Sequence, residues 1–374
     1  PLPPMIRRAF KLLQRSLLII GSVVAPGFSQ CNLKIAPRAL LKAVSCLNRS
    51  PCCKKCQVPL SRMSGLLTDA ANMFETISPP MVFSALRSAV TRLRLRGFIG
   101  INVPTAKEHD SGRKLRGFPA KTRFIAAAHT RFMSFEEIEQ LAECLLSTKL
   151  VRLGPLVISQ EGTPIGGLAS SACCDLVLRC AEDRWIRDPA ERRSFRLPKN
   201  TTAAHVAGCR YVDDLLMMSR SLCQSCLRSS LSLYPSEVQW EDVDWNTASS
   251  RPIKWLDLHI AIDHFSLKLG PFVPENDDDV YAASKLIPPF VDIPSLDTRD
   301  LVNRVSARYS RLAQLPVTDE QRQRAVVGEV AVWLKRGYPP SVLSQVFTSQ
   351  GRYPLLTKTA KDCLVFAMSQ CGDQ

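Results

Sequence analysis

Residues 208–218, Gly208-Cys209-Arg210-Tyr211-Val212-Asp213-Asp214-Leu215-Leu216-Met217-Met218, place two adjacent carboxylates between two short runs of strand-forming side chains. Such runs favour β-strands, and Asp is common in turns because its side chain hydrogen-bonds the nearby backbone. The stretch therefore predicts a strand, a tight turn and a second strand. A carboxylate beside buried strands is costly unless a cation or a polar partner neutralises it. We therefore expect the two acids at this turn to need a partner.

A third acid, Asp69, ends another short apolar run, which starts near Ser64. A turn follows with Ala70 and Phe74, and a helical pattern extends from Met81 to Leu95. The local pattern predicts a strand that ends at an acid, and then a helix. It is also typical of a helix-capping Asp followed by a core Phe, and both interpretations stay open at this point.

A glycine-rich loop precedes the next helical segment. Its sequence is Gln160-Glu161-Gly162-Thr163-Pro164-Ile165-Gly166, followed by Ser170 and a helix that extends through Arg187. Glycines at the start of a helix let the backbone approach a phosphate or a base closely, and the helix N-terminus favours anionic groups. No Gly-Lys-Ser or Gly-Lys-Thr follows, so this is not a Walker loop.

Composition limits the classes of partner. The 374 residues exceed the usual size of a single hydrophobic core, so subdomains or two domains are expected. The chain has 49 Lys and Arg against 34 Asp and Glu, a formal charge of +15. Such an excess suits a polyanionic partner through phosphate neutralisation, although a basic surface with no particular partner has the same composition.

The first 68 residues contain no Asp or Glu but many Lys and Arg. An acid-free, Arg-rich start resembles a transit peptide, yet this one is long and follows Pro1 without an initiator Met, so we interpret the chain as a fragment. The apolar run from Leu17 to Ala25 is interrupted by Gly21 and Ser22 and is too short to span a bilayer. A basic segment that lies against nucleic acid fits it better.

The fourteen cysteines are scattered through apolar segments. This distribution favours reduced, buried thiols in an intracellular protein. Two Cys-x-x-Cys pairs occur, Cys53 with Cys56 and Cys223 with Cys226, but no His pair stands at zinc-finger spacing near either. The sequence therefore favours ordinary thiols over a zinc site.

Three longer helices are predicted from pattern. The segment Met133 to Leu150 has Ser134 as N-cap with Glu137 three residues later, which is a capping box. Two basic helical segments, Thr298 to Leu315 and Thr318 to Lys335, follow near the C-terminus. They suit an element that holds a duplex through its phosphates.

The order of these motifs resembles that of reverse transcriptases, and most of all the Penelope-like element group, whose relatives include telomerase reverse transcriptase. The resemblance covers roughly residues 60 to 345. It is carried by the segment Asp69 to Phe74, the loop Gln160 to Gly166, the turn Arg210 to Asp214, Lys254-Trp255-Leu256-Asp257-Leu258, and Arg336-Gly337-Tyr338-Pro339.

The resemblance implies an α+β fold, a right-hand polymerase whose antiparallel palm sheet packs on helices, with partial fingers and a helical thumb. The implied domains are a basic leader with partial fingers (1–60), a palm with inserted fingers elements (61–265) and a thumb-like region (266–374). It also implies RNA-directed DNA polymerase activity. An RNA template, a DNA primer and deoxynucleoside triphosphates would be the partners, with no membrane, in an intracellular and nuclear location.

Nucleotidyl transfer in this family uses two Mg²⁺ ions, which Mn²⁺ can replace, held by carboxylates. By resemblance, Asp69, Asp213 and Asp214 are catalytic and bind metal, with the Ala70 carbonyl. The implied nucleotide- and template-binding residues are Phe74, Gln160, Gly162, Pro164, Gly166, Ser170 and Tyr211. The implied primer grip is Trp255, Leu256 and Asp257.

Two departures from the family pattern leave a second hypothesis open. No Lys or Arg of the leader aligns with the fingers residues that hold the triphosphate. No Lys stands between Asp214 and Ile253, where a proton donor to pyrophosphate often lies, and Lys254 is the nearest. The alternative is therefore a catalytically impaired or domesticated nucleic-acid-binding protein that keeps the polymerase fold.

Overall fold

The computed structural model of this chain divides into two compact units, Pro1–Cys31 with Ala43–Trp245, and Asn32–Lys42 with Asn246–Gln374. The structure describes residues 3–25, 27–29, 36–105, 117–123, 130–147, 150–153, 156–159, 161–164, 167–187, 205–242, 252–256, 258–271, 298–348 and 353–371. Each unit is considered by itself.

The described strands of the first unit form three antiparallel sheets. In chain order they are β1 (Ser64–Ala71), β2 (Gly100–Pro104), β3 (Phe118–Ala120), β4 (Thr130–Ser134), β5 (Leu150–Leu153), β6 (Leu156–Ser159), β7 (Ala207–Tyr211), β8 (Asp214–Ser219) and β9 (Gln239–Asp242). The largest sheet has the order β7-β8-β1-β9. Its centre is therefore the pair β1 and β8, which contains residues of the two acid motifs.

The first unit also contains helices. They are α1 (Pro4–Val24), α3 (Met73–Thr76), α4 (Pro79–Leu95), α5 (Phe135–Ser147), α6 (Ser170–Arg187) and α7 (Gln224–Arg228), with a 3₁₀ segment at Ser229–Leu233, while α2 (Ala36–Ser45) crosses the division between the units. The capping box of α5 is confirmed, because Glu137 N–H donates to Ser134 Oγ at 3.1 Å and Ser134 N–H to Glu137 Oε2 at 2.8 Å.

The leader helix α1 is part of the core. Leu13, Leu17 and Ile20 are at most 1% exposed, and the helix packs on α4, α5 and α6. Arg7 and Arg8 stay exposed on the opposite face. The apolar run that the sequence analysis assigned to a segment against nucleic acid therefore stabilises the protein interior, because its 3.6-residue periodicity gives it one apolar face. Among the described helices, none has the length and hydropathy that a membrane crossing requires.

The second unit combines a three-stranded antiparallel sheet with helices. The strands are β10 (Ile253–Trp255), β11 (Leu258–Asp263) and β12 (Ser266–Pro271), and the helices are α8 (Thr298–Gln314), α9 (Asp319–Lys335), α10 (Pro340–Thr348) and α11 (Pro354–Cys371). The helix α9 begins at the capping box of Thr318 and Gln321. The predicted α+β class, with antiparallel sheet packed on helices, is confirmed, while the domain limits at residues 60 and 265 stay a prediction.

Candidate active site

The strands β1 and β8 bring the three predicted acids together. Their register pairs Thr68 with Leu215, and one residue further along the two strands lie Asp69 and Asp214. The Ala70 N–H donates to the carbonyl of Asp213 at 3.2 Å, which fixes the β7–β8 turn against β1. Residues that face each other across antiparallel strands project to the same side of the sheet. The structure therefore places Asp69 and Asp214 on one face, with Asp213 at the adjoining turn.

The pKa values of Asp69 and Asp214 are both raised. Burial and the neighbouring Asp213 raise the pKa of Asp69, with a smaller contribution from Glu241, which faces Asp69 on β9. Burial, then Asp213 and Asp69, raise the pKa of Asp214 to about 6. A carboxylate with a raised pKa gains from a nearby cation, because the cation offsets both the lost solvation and the repulsion.

These three half-buried acids differ from the fully buried acids of the unit. Within the part of the chain that the structure describes, no Lys, Arg or His forms an ion pair with Asp69, Asp213 or Asp214. In contrast, Asp175 and Glu182 each pair with a buried guanidinium. The negative charge of the three-acid group is therefore left for a ligand to neutralise.

Arg210 supports the β7–β8 turn through buried contacts. It is 0% exposed, and its Nε donates to Glu182 Oε1 at 2.6 Å while Nη2 lies 3.0 Å from Asp175 Oδ1. Its Nη1 donates to the carbonyl of Val212 at 2.7 Å. Val212 has a φ of 58°, in the left-handed region that a β-branched residue rarely adopts. A buried guanidinium thus holds the strained residue that directly precedes Asp213.

The two carboxylates around Arg210 are themselves fully engaged. Glu182 also accepts from the Tyr234 hydroxyl at 3.0 Å and from Phe28 N–H at 2.7 Å. Asp175 accepts from Arg179 Nε at 2.6 Å, and although burial acts to raise its pKa, Arg210 and Arg179 outweigh that effect and lower it. These contacts tie α6 and the end of the leader to the turn.

The glycine-rich loop is fastened beside Phe74. Thr163 N–H donates to the Phe74 carbonyl at 2.6 Å, and Thr163 Oγ1 donates to the Ile77 carbonyl at 2.9 Å. Gly162 has a φ of +76°, and a Cβ there would lie 2.4 Å from the Phe74 carbonyl oxygen. Only glycine fits this approach. The backbone of the half-buried Phe74 and the Gly162–Pro164 loop therefore lie side by side, next to β1.

The remaining predicted residues fall in three groups. Tyr211 is half-buried and pairs with Asp214 across the turn, and Ser170 is 1% exposed at the start of α6, packed against Gly167. In the second unit, Trp255 is 1% exposed and Leu256 follows with a φ of 54°. The positions Gln160, Gly166 and Asp257 lie outside the described residues.

The donor set fits a hard divalent cation. Three carboxylates from β1, β8 and the turn before β8 have no cationic partner among the described residues, and the pKa values of Asp69 and Asp214 are raised, so the group offers the oxygen ligands that Mg²⁺ prefers. Asp69, Asp213 and Asp214 would hold such an ion, and the Ala70 backbone lies next to them. Chemically, this arrangement can bind a hard divalent cation.

Comparisons with known proteins give distant similarities. No family model and no curated protein matches the chain. Solved telomerases match. One from Candida albicans, in complex with a TWJ fragment of telomeric RNA, has 10% identity and a TM-score of 0.48, over 95% of this chain and 55% of that chain. The apo telomerase from Candida tropicalis has 13% identity and a TM-score of 0.44, over 96% and 53%.

The chain thus spans about half the length of these telomerases. Because both TM-scores lie below 0.5, the assignment of the site rests on the chain's own residues and contacts.

The support of the turn was not predicted from the sequence. Asp175, Arg179 and Glu182 recur at four- and three-residue spacing on the Cys-rich helix α6. Charged residues on a buried helix face are rare unless they are paired, so this spacing was the available signal for an internal ion-pair network. The partner that completes the network, Arg210, is not visible from local sequence.

Proposed function

We propose that this chain is an RNA-directed DNA polymerase, a reverse transcriptase of a Penelope-like retroelement that adds deoxynucleotides to a primer 3′ end. One observation carries the proposal. Asp69, Asp213 and Asp214 meet at the β1–β8 pair without a cationic partner among the described residues, while the turn that carries Asp213 is held by backbone and Arg210 contacts.

In the proposed reaction two Mg²⁺ ions, for which Mn²⁺ can substitute, would stabilise the attacking and leaving oxygens of an in-line displacement. Asp69 and Asp213 would bind both ions, and Asp214 would assist, with the Ala70 carbonyl as a further ligand. The chain's own contribution is to hold these oxygens still, through the Ala70–Asp213 backbone bond and the Arg210 contact to Val212.

The substrate-side roles come from the resemblance to reverse transcriptases. By that resemblance the Phe74 ring would stack under the sugar of the incoming nucleotide and exclude a 2′-hydroxyl, and the position of Phe74 after β1, joined to Thr163 by a backbone hydrogen bond, supports this proposal. Pro164 and Tyr211 would shape the surface around the template base. The basic surface would bind the RNA template and DNA primer by phosphate neutralisation. A nuclear location would bring the chain to such a primer.

The second candidate is a nucleic-acid-binding protein that has lost turnover. It is favoured by the lack of a Lys between Asp214 and Ile253, and by the engagement of Arg220, whose Nη1 donates to the Leu47 carbonyl at 3.3 Å. An arginine used to hold the backbone is not placed to protonate a leaving pyrophosphate.

Primer extension separates the two candidates. We expect the full chain to extend oligo(dT) on poly(rA) with Mg²⁺ or Mn²⁺, and Asp213→Asn to lower the rate by about a hundredfold or more while duplex affinity is retained. Asp263→Asn is the matched control, since this exposed acid pairs with Lys268 in the second unit. Equal extension by the wild type and Asp213→Asn would overturn the polymerase assignment.

A further inference from the structure

The two Cys-x-x-Cys pairs, 167 residues apart in sequence, meet in the first unit. The Sγ atoms of Cys53, Cys56, Cys223 and Cys226 all lie within 4.8 Å of one another, and those of Cys56 and Cys223 are 3.5 Å apart. Four sulfurs around one tetrahedral ion with metal–sulfur bonds of about 2.3 Å would be about 3.8 Å apart. A disulfide needs about 2.05 Å, so the observed spacing matches ligands of a shared ion better than a bonded pair.

From this geometry we propose that Cys53, Cys56, Cys223 and Cys226 bind one structural Zn²⁺ ion as a closed four-thiolate site. Zinc prefers four sulfur ligands in tetrahedral geometry when its role is structural. All four positions are filled by protein, so no open position remains for a substrate or water. The site is distinct from the three-acid group and independent of the proposed polymerase activity.

Both Cys-x-x-Cys pairs lie in turns whose backbone N–H groups donate to a cysteine sulfur. The first pair lies at the tip of a hairpin closed by Cys53 N–H to Val58 O (2.7 Å), with Gln57 in the left-handed region at a φ of 63°. The N–H groups of Lys55 and Cys56 donate to the Cys53 sulfur. The second pair begins α7, and the Cys226 N–H donates to the Cys223 sulfur. These backbone donors hold the Cys53 and Cys223 sulfurs in fixed positions within the cluster.

The turns are also locked to each other. Cys223 N–H donates to Cys53 Sγ at 3.3 Å, and Lys54 N–H donates to the Ser221 carbonyl at 2.8 Å. Cys53 is 0% and Cys226 7% exposed, whereas Cys56 is exposed, so the site is anchored in the core and reachable from solvent. Lys54 and Lys55 place two positive charges beside what would be a doubly negative centre.

The position of the site suggests what it stabilises. The β1–β8 register starts with Ser64 opposite Ser219, eight residues after Cys56 and four before Cys223. The catalytic candidates Asp69 and Asp214 lie five residues along each strand, about 17 Å from that end. A zinc ion would thus clamp the start of β1 to the end of β8. A one-residue slip between these strands would move every side chain to the other face, and the clamp opposes it.

Metal analysis of the purified full chain tests the proposal without any activity. We expect about one zinc per chain, with X-ray absorption showing four sulfurs at about 2.3 Å. Cys56→Ser with Cys223→Ser should lower the zinc content about tenfold after dialysis against a chelator, since two of four ligands are lost. Both residues are outside the fully buried core, and Cys46→Ser, at an exposed cysteine outside the cluster, is the control.

Treating the wild-type protein with a mercurial reagent gives a second measurement, which does not depend on whether the variant folds. Zinc should be released, and the melting temperature should fall. A folded wild-type chain without metal, an oxygen-coordinated zinc, one iron in place of zinc, or a Cys56–Cys223 disulfide found by mass spectrometry under non-reducing conditions would each overturn the proposal.

Discussion

The ion-pair network under the turn gives the sharpest test of how this site is held. Replacing Arg210 by Met keeps most of the side-chain volume but removes the guanidinium. The change deletes the contacts to Glu182 (2.6 Å), Asp175 (3.0 Å) and the Val212 carbonyl (2.7 Å). It leaves two buried carboxylates with less positive charge around them.

The expected loss of unfolding free energy follows from the contacts that Glu182 and Asp175 keep in the variant. Breaking a buried pair by removing one partner costs about 3–5 kcal/mol, because the other charge is left uncompensated. Here Glu182 keeps the Tyr234 hydroxyl and the Phe28 N–H, and Asp175 keeps Arg179. We therefore expect Arg210→Met to lower the free energy of unfolding by about 3 kcal/mol, the low end of that range.

The double variant isolates the interaction energy between Arg210 and Glu182 from the other effects of each single substitution. Glu182→Gln alone should cost about 2–3 kcal/mol, since Arg210 then has only Asp175 as a charged partner. Arg210→Met with Glu182→Gln should cost about 2 kcal/mol less than the sum of the two single changes, because the second substitution removes a charge that the first left unpaired.

The measurement is urea unfolding at 25 °C, followed by circular dichroism, with the transition of the first unit fitted separately. The matched control is Arg308→Met with Glu329→Gln in the second unit, a pair at 3.0 Å with side chains 13% and 19% exposed. Its coupling should be smaller, about 1 kcal/mol, because solvent screens it. Additive costs at Arg210 and Glu182, within about 0.5 kcal/mol, would refute the network as an energetic unit.

Four further predictions concern the site and its surface. Asp214→Asn should raise the free energy of unfolding at pH 7 by about 1–2 kcal/mol without divalent ions, allowing for partial exposure. The raised pKa of about 6 means that the wild-type protein loses this stability as pH rises from about 4 to 6, so the difference should vanish below pH 4, and a pH-independent gain would contradict it. Phe74→Ala in an active enzyme should raise ribonucleotide incorporation relative to deoxynucleotides about tenfold, and unchanged discrimination would make Phe74 a core residue only. Gly162→Ala should lower the free energy of unfolding by about 1–3 kcal/mol because of its positive φ and the 2.4 Å approach, whereas Gly270→Ala, with open space around it, should be near neutral in the same urea titration. Affinity for a primer–template duplex, measured by fluorescence anisotropy, should fall steeply with salt, and a flat response would mean that the +15 charge does not contact phosphate.

Local patterns predicted several elements because the deciding interactions are themselves local. The capping box at Ser134 joins residues three apart, so the sequence shows both partners. The strand, turn and strand at 207–219 follow from residue preferences over a dozen positions. The family resemblance added the expectation that Asp69 would join this turn, and the structure places the three acids together.

The environment of the acids could not be predicted in the same way. The raised pKa of Asp214 depends on the burial of its side chain and on the proximity of Asp213 and Asp69. Glu241 lies opposite Asp69 only because β1 pairs with β9. The leader helix shows the same limit. The packing of its apolar face against α6 makes it a core element, while Arg7 and Arg8 stay exposed and its nucleic-acid contact stays a prediction.

The sequence by itself determined the charge of the chain, the helix boundaries with caps, and the positions of the three acids along it. Only the tertiary structure decided which distant groups share a site. Glu182 meets Phe28 across 154 residues and Cys56 meets Cys223 across 167, and local spacing can mark such residues without showing which distant segment each one contacts. The physical reason is that such contacts form only when sheet register and helix packing over the whole unit bring the segments together.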